Sequence, residues 1–202
     1  NDYLSSLAIT SIAQDHFNHD FIYIGTGELS GNSAGIPGNG VYRSKDHGVT
    51  FEHLPSTDSS VFDYIPRVVT SPIDSNSLYV ATGGGDLFRS SNAGDSMKEV
   101  FHSTHAINDL ELTPSGEVWI GVNGLGIYYS PSGDSGTFNA ITNGLPPPAT
   151  FARIEMAIAP GDTSIMYAAF EKSGGGYYSG LQGVYKTTDG GISWVAIGNP
   201  DT

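Results

Sequence analysis

Ser44-Lys-Asp-His-Gly-Val-Thr-Phe51 and Thr187-Thr-Asp-Gly-Gly-Ile-Ser-Trp194 are two copies of one phrase, Ser/Thr-x-Asp-x-Gly-x-Ser/Thr-aromatic, and reading them as copies decides the fold. A third copy, Ser90-Ser-Asn-Ala-Gly-Asp-Ser-Met97, keeps the spacing with Asn92 for the aspartate and Met97 for the aromatic. A fourth, Ser130-Pro-Ser-Gly-Asp-Ser-Gly-Thr-Phe138, is disturbed around Asp134. The starts lie 46, 40 and 57 residues apart, a period that suits repeat units of about four strands.

These residue types build a tight turn. Gly48, Gly94, Gly136 and Gly191 tolerate the positive φ that such a turn needs. Asp46, Asn92 and Asp189 can bond the turn's own amides. Phe51 and Trp194 can tuck beneath it and pin the hairpin. The phrase resembles the Asp-box, or bacterial neuraminidase repeat, of a group of β-propellers. That group includes sialidases, xyloglucan-cleaving glycosidases, sortilin-type receptors and many bacterial surface proteins. The resemblance covers nearly the whole chain. It implies an all-β fold, a β-propeller of four-stranded antiparallel blades. It also implies that the box residues, Ser44, Asp46, Gly48, Thr50 and Phe51 with Thr187, Asp189, Gly191, Ser193 and Trp194, are structural rather than catalytic.

The sequence around each box repeats in the same order. An alternating stretch (Leu7 to Ala13, Val68 to Ser71, Ile107 to Thr113, Ile154 to Ala159) leads to a turn at Pro72, Pro114 or Pro160, with His16 in that place in the first unit. A strand with one central aromatic follows, at Tyr23, Tyr79, Trp119 and Tyr167. A third strand ends at the box and a fourth leaves it. Alternation and β-branched residues support strands throughout. Four blades are expected, at approximately 1–58, 59–103, 104–145 and 146–202. Propellers of this group have six or more blades, so the four are expected to be a segment of a seven- or eight-bladed propeller. The remaining blades of a parent chain are the expected partner.

Composition narrows the function. A formal charge of −13 excludes nucleic acid as a natural partner, since that surface must be basic. No apolar run is long enough to insert in a bilayer. With 0 cysteines there is no disulfide and no thiolate site. No cofactor is implied; acidic loops can hold calcium, but no calcium motif is present. The texture of the first blade, Ile22-Tyr-Ile-Gly-Thr-Gly-Glu28 and then Pro37-Gly-Asn-Gly-Val-Tyr-Arg-Ser44, resembles large secreted proteins of Bacteroidetes-type bacteria. That likeness implies a secreted or cell-surface location on the bacterial exterior.

Loop lengths suggest where ligands bind. From central aromatic to box is 21, 11, 11 and 20 residues in the four units. The first and last therefore carry about ten extra residues in a class of loop that is normally short. The inserts are Glu28 to Asn39 and Glu171 to Gln182, the second bearing Tyr177 and Tyr178. In a propeller both emerge on the face that also carries the blade connections, and this long-loop face is the expected binding face. Glu28, Tyr64, Phe62, Tyr177 and Tyr178 are candidate contacts there, the aromatics for sugar rings or a protein partner.

Five residues before the turn prolines stand Arg67, Asp109 and Glu155, with Arg153 close by. Asp109 and Glu155 are the candidate pair for glycosidase acid and base or nucleophile. Arg67 and Arg153 could hold an anionic sugar. The three arginines that the resemblance implies for a sialidase cannot be assembled, because Arg43 and Arg89 share a third-strand position with Tyr129 and Lys186 and so read as structural. His102 and His105, with Asp109 behind them, offer a weak zinc pattern that reads better as a solvated loop. The expectation is a non-catalytic surface or secreted propeller module that binds glycan or protein. The alternative is the N-terminal part of a glycoside hydrolase of xyloglucanase or sialidase type.

Overall fold

A computed structural model describes Leu4 and residues 8–28, 35–174 and 180–198. Within them the chain forms four antiparallel sheets of four strands, each a simple meander in chain order. The first holds β1 (Ile9–Gln14), β2 (Ile22–Thr26), β3 (Val41–Ser44) and β4 (Glu52–His53). The second holds β5 (Arg67–Thr70), β6 (Leu78–Ala81), β7 (Asp86–Ser90) and β8 (Lys98–His102). The third holds β9 (Ile107–Leu112), β10 (Val118–Val122), β11 (Gly126–Ser130) and β12 (Asn139–Ile141). The fourth holds β13 (Phe151–Ile158), β14 (Met166–Lys172), β15 (Leu181–Thr187) and β16 (Val195–Gly198). The only helical pieces among the described residues are two single 3₁₀ turns, Pro55–Thr57 and Ser60–Phe62. No described helix is long and apolar enough to cross a membrane.

Each sheet is a propeller blade, and the blades fall into two compact units, 1–107 and 108–202. In the first unit, Tyr23, Val41, Leu54, Ile65, Val68 and Val80 close one core between blades 1 and 2. In the second, Trp119, Ile127, Phe151, Ile154, Phe170 and Trp194 close another between blades 3 and 4. Strands β2, β6 and β10 are buried almost throughout, as central strands with both faces covered must be.

A ladder position repeats in every blade. The central aromatic of the second strand pairs across to one residue of the third: Tyr23 with Arg43, Tyr79 with Arg89, Trp119 with Tyr129, and Tyr167 with Lys186. Arg89 and Lys186 each stand 5.5 Å from the ring they face, and the rings of Trp119 and Tyr129 lie 4.5 Å apart. Arg43, 7% exposed, binds the Glu52 carboxylate at 2.8 Å and Asp95 at 3.0 Å. The third-strand arginines therefore belong to the blades, as their shared position with Tyr129 and Lys186 implied.

The repeated turns close as the residue types demand. The Ser44 hydroxyl accepts the Gly48 N–H at 2.8 Å, and Asp46 accepts the Thr50 N–H at 2.8 Å and its hydroxyl at 2.6 Å. Thr187, Gly191, Asp189 and Ser193 repeat the arrangement at 3.0, 2.9 and 2.5 Å. Asn92 stands in for the aspartate by accepting the Ser96 N–H at 2.9 Å. The disturbed third copy keeps its serine, which accepts from Gly133 N–H at 2.7 Å, but here the Asp134 backbone carbonyl takes the Thr137 hydroxyl. The sequence pointed to one left-handed glycine per turn. His47 and Ala93, just before Gly48 and Gly94, also have φ of 57°, so these turns contain two left-handed residues in succession, one of them not glycine.

Within each unit the second blade's turn also serves the blade before it. The Tyr23 hydroxyl donates to the Ala93 carbonyl at 3.3 Å, and Arg43 reaches the same carbonyl at 2.5 Å. A Cβ on Gly191 would lie 2.3 Å from the Trp119 ring. The turn of blade 2 thus covers the central aromatic of blade 1, and the turn of blade 4 covers that of blade 3.

Candidate functional site

The expected binding face can be followed within each unit. In unit 1 the connection from Pro55 to Pro66 is clamped between the two blades. Ile65 N–H donates to Thr26 at 3.0 Å, Gly83 N–H donates to Tyr64 at 2.8 Å, and Gly38 N–H at the foot of the first insert donates to Asp63 at 2.6 Å. Phe62 is not a loop aromatic: it is 4% exposed and packs with its ring 4.7 Å from that of Phe88. The 3₁₀ turn Ser60–Phe62, unforeseen in the sequence, swings it into the core. Tyr64 is half-buried, with its ring 3.7 Å from where Gly35 would carry a Cβ. Glu28 is half-buried at the base of the insert, where its N–H donates to Ile36 at 2.8 Å. Arg67 opens β5, half-buried, its guanidinium donating to the Pro66 carbonyl at 3.2 Å.

In unit 2 the structure separates the candidate carboxylates. Asp109 is 1% exposed, and its Oδ2 accepts the Met156 N–H of blade 4 at 2.6 Å. Blade 1 makes the same connection to blade 2, where the Ser11 hydroxyl accepts the Val68 N–H at 2.9 Å. Ser11 and Asp109 hold the same position in their innermost strands, five residues before His16 and Pro114, so this position ties one blade to the backbone of the next. Glu155 holds the equivalent position in blade 4, on the face that carries Tyr167. It pairs with Arg153, whose Nε donates to Oε1 at 2.8 Å and whose Nη2 reaches the same oxygen. These two side chains are 46% and 39% exposed.

Arg153, Glu155, Ala169, Glu171, Gly180 and Leu181 line a hollow of about 220 Å³ at the root of the second insert. Its floor belongs to the face of blade 4 that carries Tyr167, since Glu155 pairs with Ala169 and Ala157 with Tyr167. Tyr177 and Tyr178 lie outside the described residues. A second hollow of about 270 Å³, lined by Leu125, Ile141, Leu145, Phe170 and the run Pro146 to Pro148, opens beside the connection between blades 3 and 4. The sequence placed this connection on the long-loop face but held no sign that Ile141 and Phe170 would wall a cavity with it. His102 lies on β8 rather than in a loop, with Nδ1 2.6 Å from the Asp86 carboxylate, which raises its pKa above the ordinary imidazole value. His105 is exposed and lies 3.2 Å from the Thr104 hydroxyl.

No protein-family model matches the sequence, and no curated protein matches it. Solved structures do. An ancestral GH74 enzyme is 18% identical, with a TM-score of 0.74 over 97% of this chain and 25% of that one. The GH74 xyloglucanase from Xanthomonas campestris is 16% identical, with a TM-score of 0.65 over 98% of this chain and 40% of that one. The extracellular domain of a hybrid two-component system from B. thetaiotaomicron is 17% identical, with a TM-score of 0.62 over 98% of this chain and 25% of that one. The chain therefore spans a quarter to two-fifths of the length of these structures. At such identities the likeness speaks for architecture alone: the described residues are built as blades of a β-propeller.

Proposed function

We propose that the chain is a non-catalytic part of a secreted or cell-surface propeller that binds glycan or protein through its long-loop face. The burial of Asp109 carries this reading. A glycosidase acid must reach the leaving oxygen, and its partner must stand at a set distance across the sugar. Asp109 is sealed between two blades and holds a backbone amide, whereas Glu155 is turned outward against Arg153. A serine in the equivalent position of blade 1 does the same structural work.

The hollow beside Arg153, Glu155 and Glu171, with Tyr177 and Tyr178 in the adjoining insert, is the favoured contact region in unit 2. Glu28, Tyr64 and Arg67 are its counterparts in unit 1. The repeated turns are read as Asp-boxes with structural duty only. Further blades of a larger protein are the proposed neighbours. A second reading, that the chain is part of a glycoside hydrolase, is favoured by the GH74 enzymes among the similar structures; in that case the working carboxylates lie elsewhere in the parent. The test screens the purified chain on a glycan array and against xyloglucan, other β-glucans and sialosides for turnover. The expected result is binding without turnover. Turnover lost in Glu155→Gln would overturn the binding-module reading in favour of the enzyme.

A further inference from the structure

The internal repeat supplies its own control for what is special in one blade. The third strand enters the blade at Gly40, Gly126 and Gly183 in blades 1, 3 and 4. Blade 2 has Asp86 there. Asp86 pairs directly with His102 of β8. The residue opposite the next same-face position, Phe88, is Glu99. The equivalent neighbours of Tyr128 and Tyr185 are Ala140 and Ala196. In blade 1 the neighbour of Tyr42 is His53, so at these positions the sister blades carry glycine, alanine or a histidine, and blade 2 carries two carboxylates beside an imidazole.

The backbone brings the three together. Side chains alternate along a strand, so Glu99 and His102, three apart, would ordinarily point to opposite faces. The register of β7 and β8 shifts between Leu87 and Phe88, so that Leu87 faces Phe101 while Phe88 faces Glu99. Val100 is the extra residue, 5% exposed and turned into the core. A bulge of this kind re-aims a side chain. Here it puts Glu99 on the face of Asp86 and His102, and one donor atom from each lies within 4.8 Å of the others. The Asp86 side chain is 15% exposed and that of His102 is 62% exposed, so the cluster has a protein floor and an open mouth. Among the described residues the ion pair of Asp86 is with His102, and no lysine or arginine pairs with Asp86 or Glu99. Two carboxylates share one imidazole.

We propose that Asp86, Glu99 and His102 form a site for a divalent transition-metal ion of the zinc class, clamping the outer hairpin of blade 2. One nitrogen and two oxygen ligands suit zinc, which takes four donors and leaves the last to water. A calcium site would call for oxygen donors alone, six or more of them. The ion takes the place of the proton shared between His102 Nδ1 and Asp86 Oδ1, and that proton passes to solvent. The cluster differs from the His102–His105 pattern visible in the sequence, because the partners of His102 come from across the hairpin.

The test titrates the full chain, freed of metal with a chelator, with zinc chloride by calorimetry and by thermal melting. One zinc per chain and a raised melting temperature are expected. His102→Ala and Glu99→Ala should each weaken binding at least tenfold, while His105→Ala should leave it unchanged. All three side chains are exposed, and an unaltered melting temperature in chelator will show that the variants fold. Absence of saturable zinc binding, equal binding by His102→Ala, or equal loss in His105→Ala would overturn the proposal. Calcium binding tighter than zinc would overturn the nitrogen-ligand assignment.

Discussion

The side chain of Asp109 shows how a residue's chemistry depends on where its strand is packed. As a sequence element it is a carboxylate five residues before a turn proline, in line with Glu155. In the structure its oxygen holds the Met156 amide. Removing a partner from a buried amide costs about 1–3 kcal/mol. Asp109→Ala should therefore lower stability by about that amount in denaturant unfolding, while Asp109→Asn, which keeps an accepting oxygen, should lose much less. A ligand affinity that changes in Asp109→Asn with stability intact would show that the residue does more than join blades. The signal needed to read this was present in the chain. Ser11 occupies the same position when His16 is aligned with the prolines, and a serine there argues against acid–base work. What the sequence could not supply was the amide on the neighbouring blade. Phe62 escaped for a different reason: burial of a loop aromatic depends on a 3₁₀ turn with no periodic signature.

At the scale of the turn and the strand, much more was legible. The spacing of serine, aspartate, glycine and threonine is dictated by bonds that close within one short segment, so the sequence contains both partners. Asp46 and Asp189 are each held near a pKa of about 2, chiefly by the hydroxyls of Thr50 and Ser193 and by the N–H groups of the same residues. Their ordinary value is 3.8. A lowered folded-state pKa means that the contribution is fully present above the ordinary value and is lost as pH falls toward the folded one. The melting temperature should thus fall between about pH 4 and pH 2, and Asp46→Asn with Asp189→Asn should flatten that fall. An equally steep acid slope in the double variant would assign it to other groups. Trp194, 3% exposed, lies beneath its turn with Nε1 donating to the Gly191 carbonyl at 3.2 Å. Trp194→Ala should cost about 3–5 kcal/mol in equilibrium unfolding.

Over the whole molecule the four central aromatics tell the blades apart. Tyr23, Tyr79 and Trp119 are 1%, 2% and 3% exposed, whereas Tyr167 is 39% exposed. Val195, paired to Lys186 beside Tyr167, is 66% exposed. In the sequence these four positions read alike, because periodicity describes a blade and not what lies against it. Trp119→Ala should cost about 3–5 kcal/mol, while Tyr167→Ala should stay within about 1 kcal/mol, as surface changes do. Comparing the two by denaturant unfolding tests the difference directly; equal losses would mean that the face of blade 4 is covered in solution.

The way the turns of blades 2 and 4 reach back to the preceding aromatic has a bearing on how repeats can be exchanged. Ala93 and Gly94 serve Tyr23, Arg43 and Leu54, and Gly191 serves Trp119. The contacting set is therefore staggered: it joins the second and third strands of one repeat to the third-to-fourth turn of the next. A laboratory chimera cut at the blade connections divides that set and brings together a ring and a turn not shaped to each other. Tyr23 and Ala93 lie 70 residues apart and Trp119 and Gly191 lie 72, more than the 40 to 57 residues between successive turns, so no cut that frees a single repeat keeps a ring with its lid, and repeats shuffled as pairs of blades should recombine with fewer losses than single blades do.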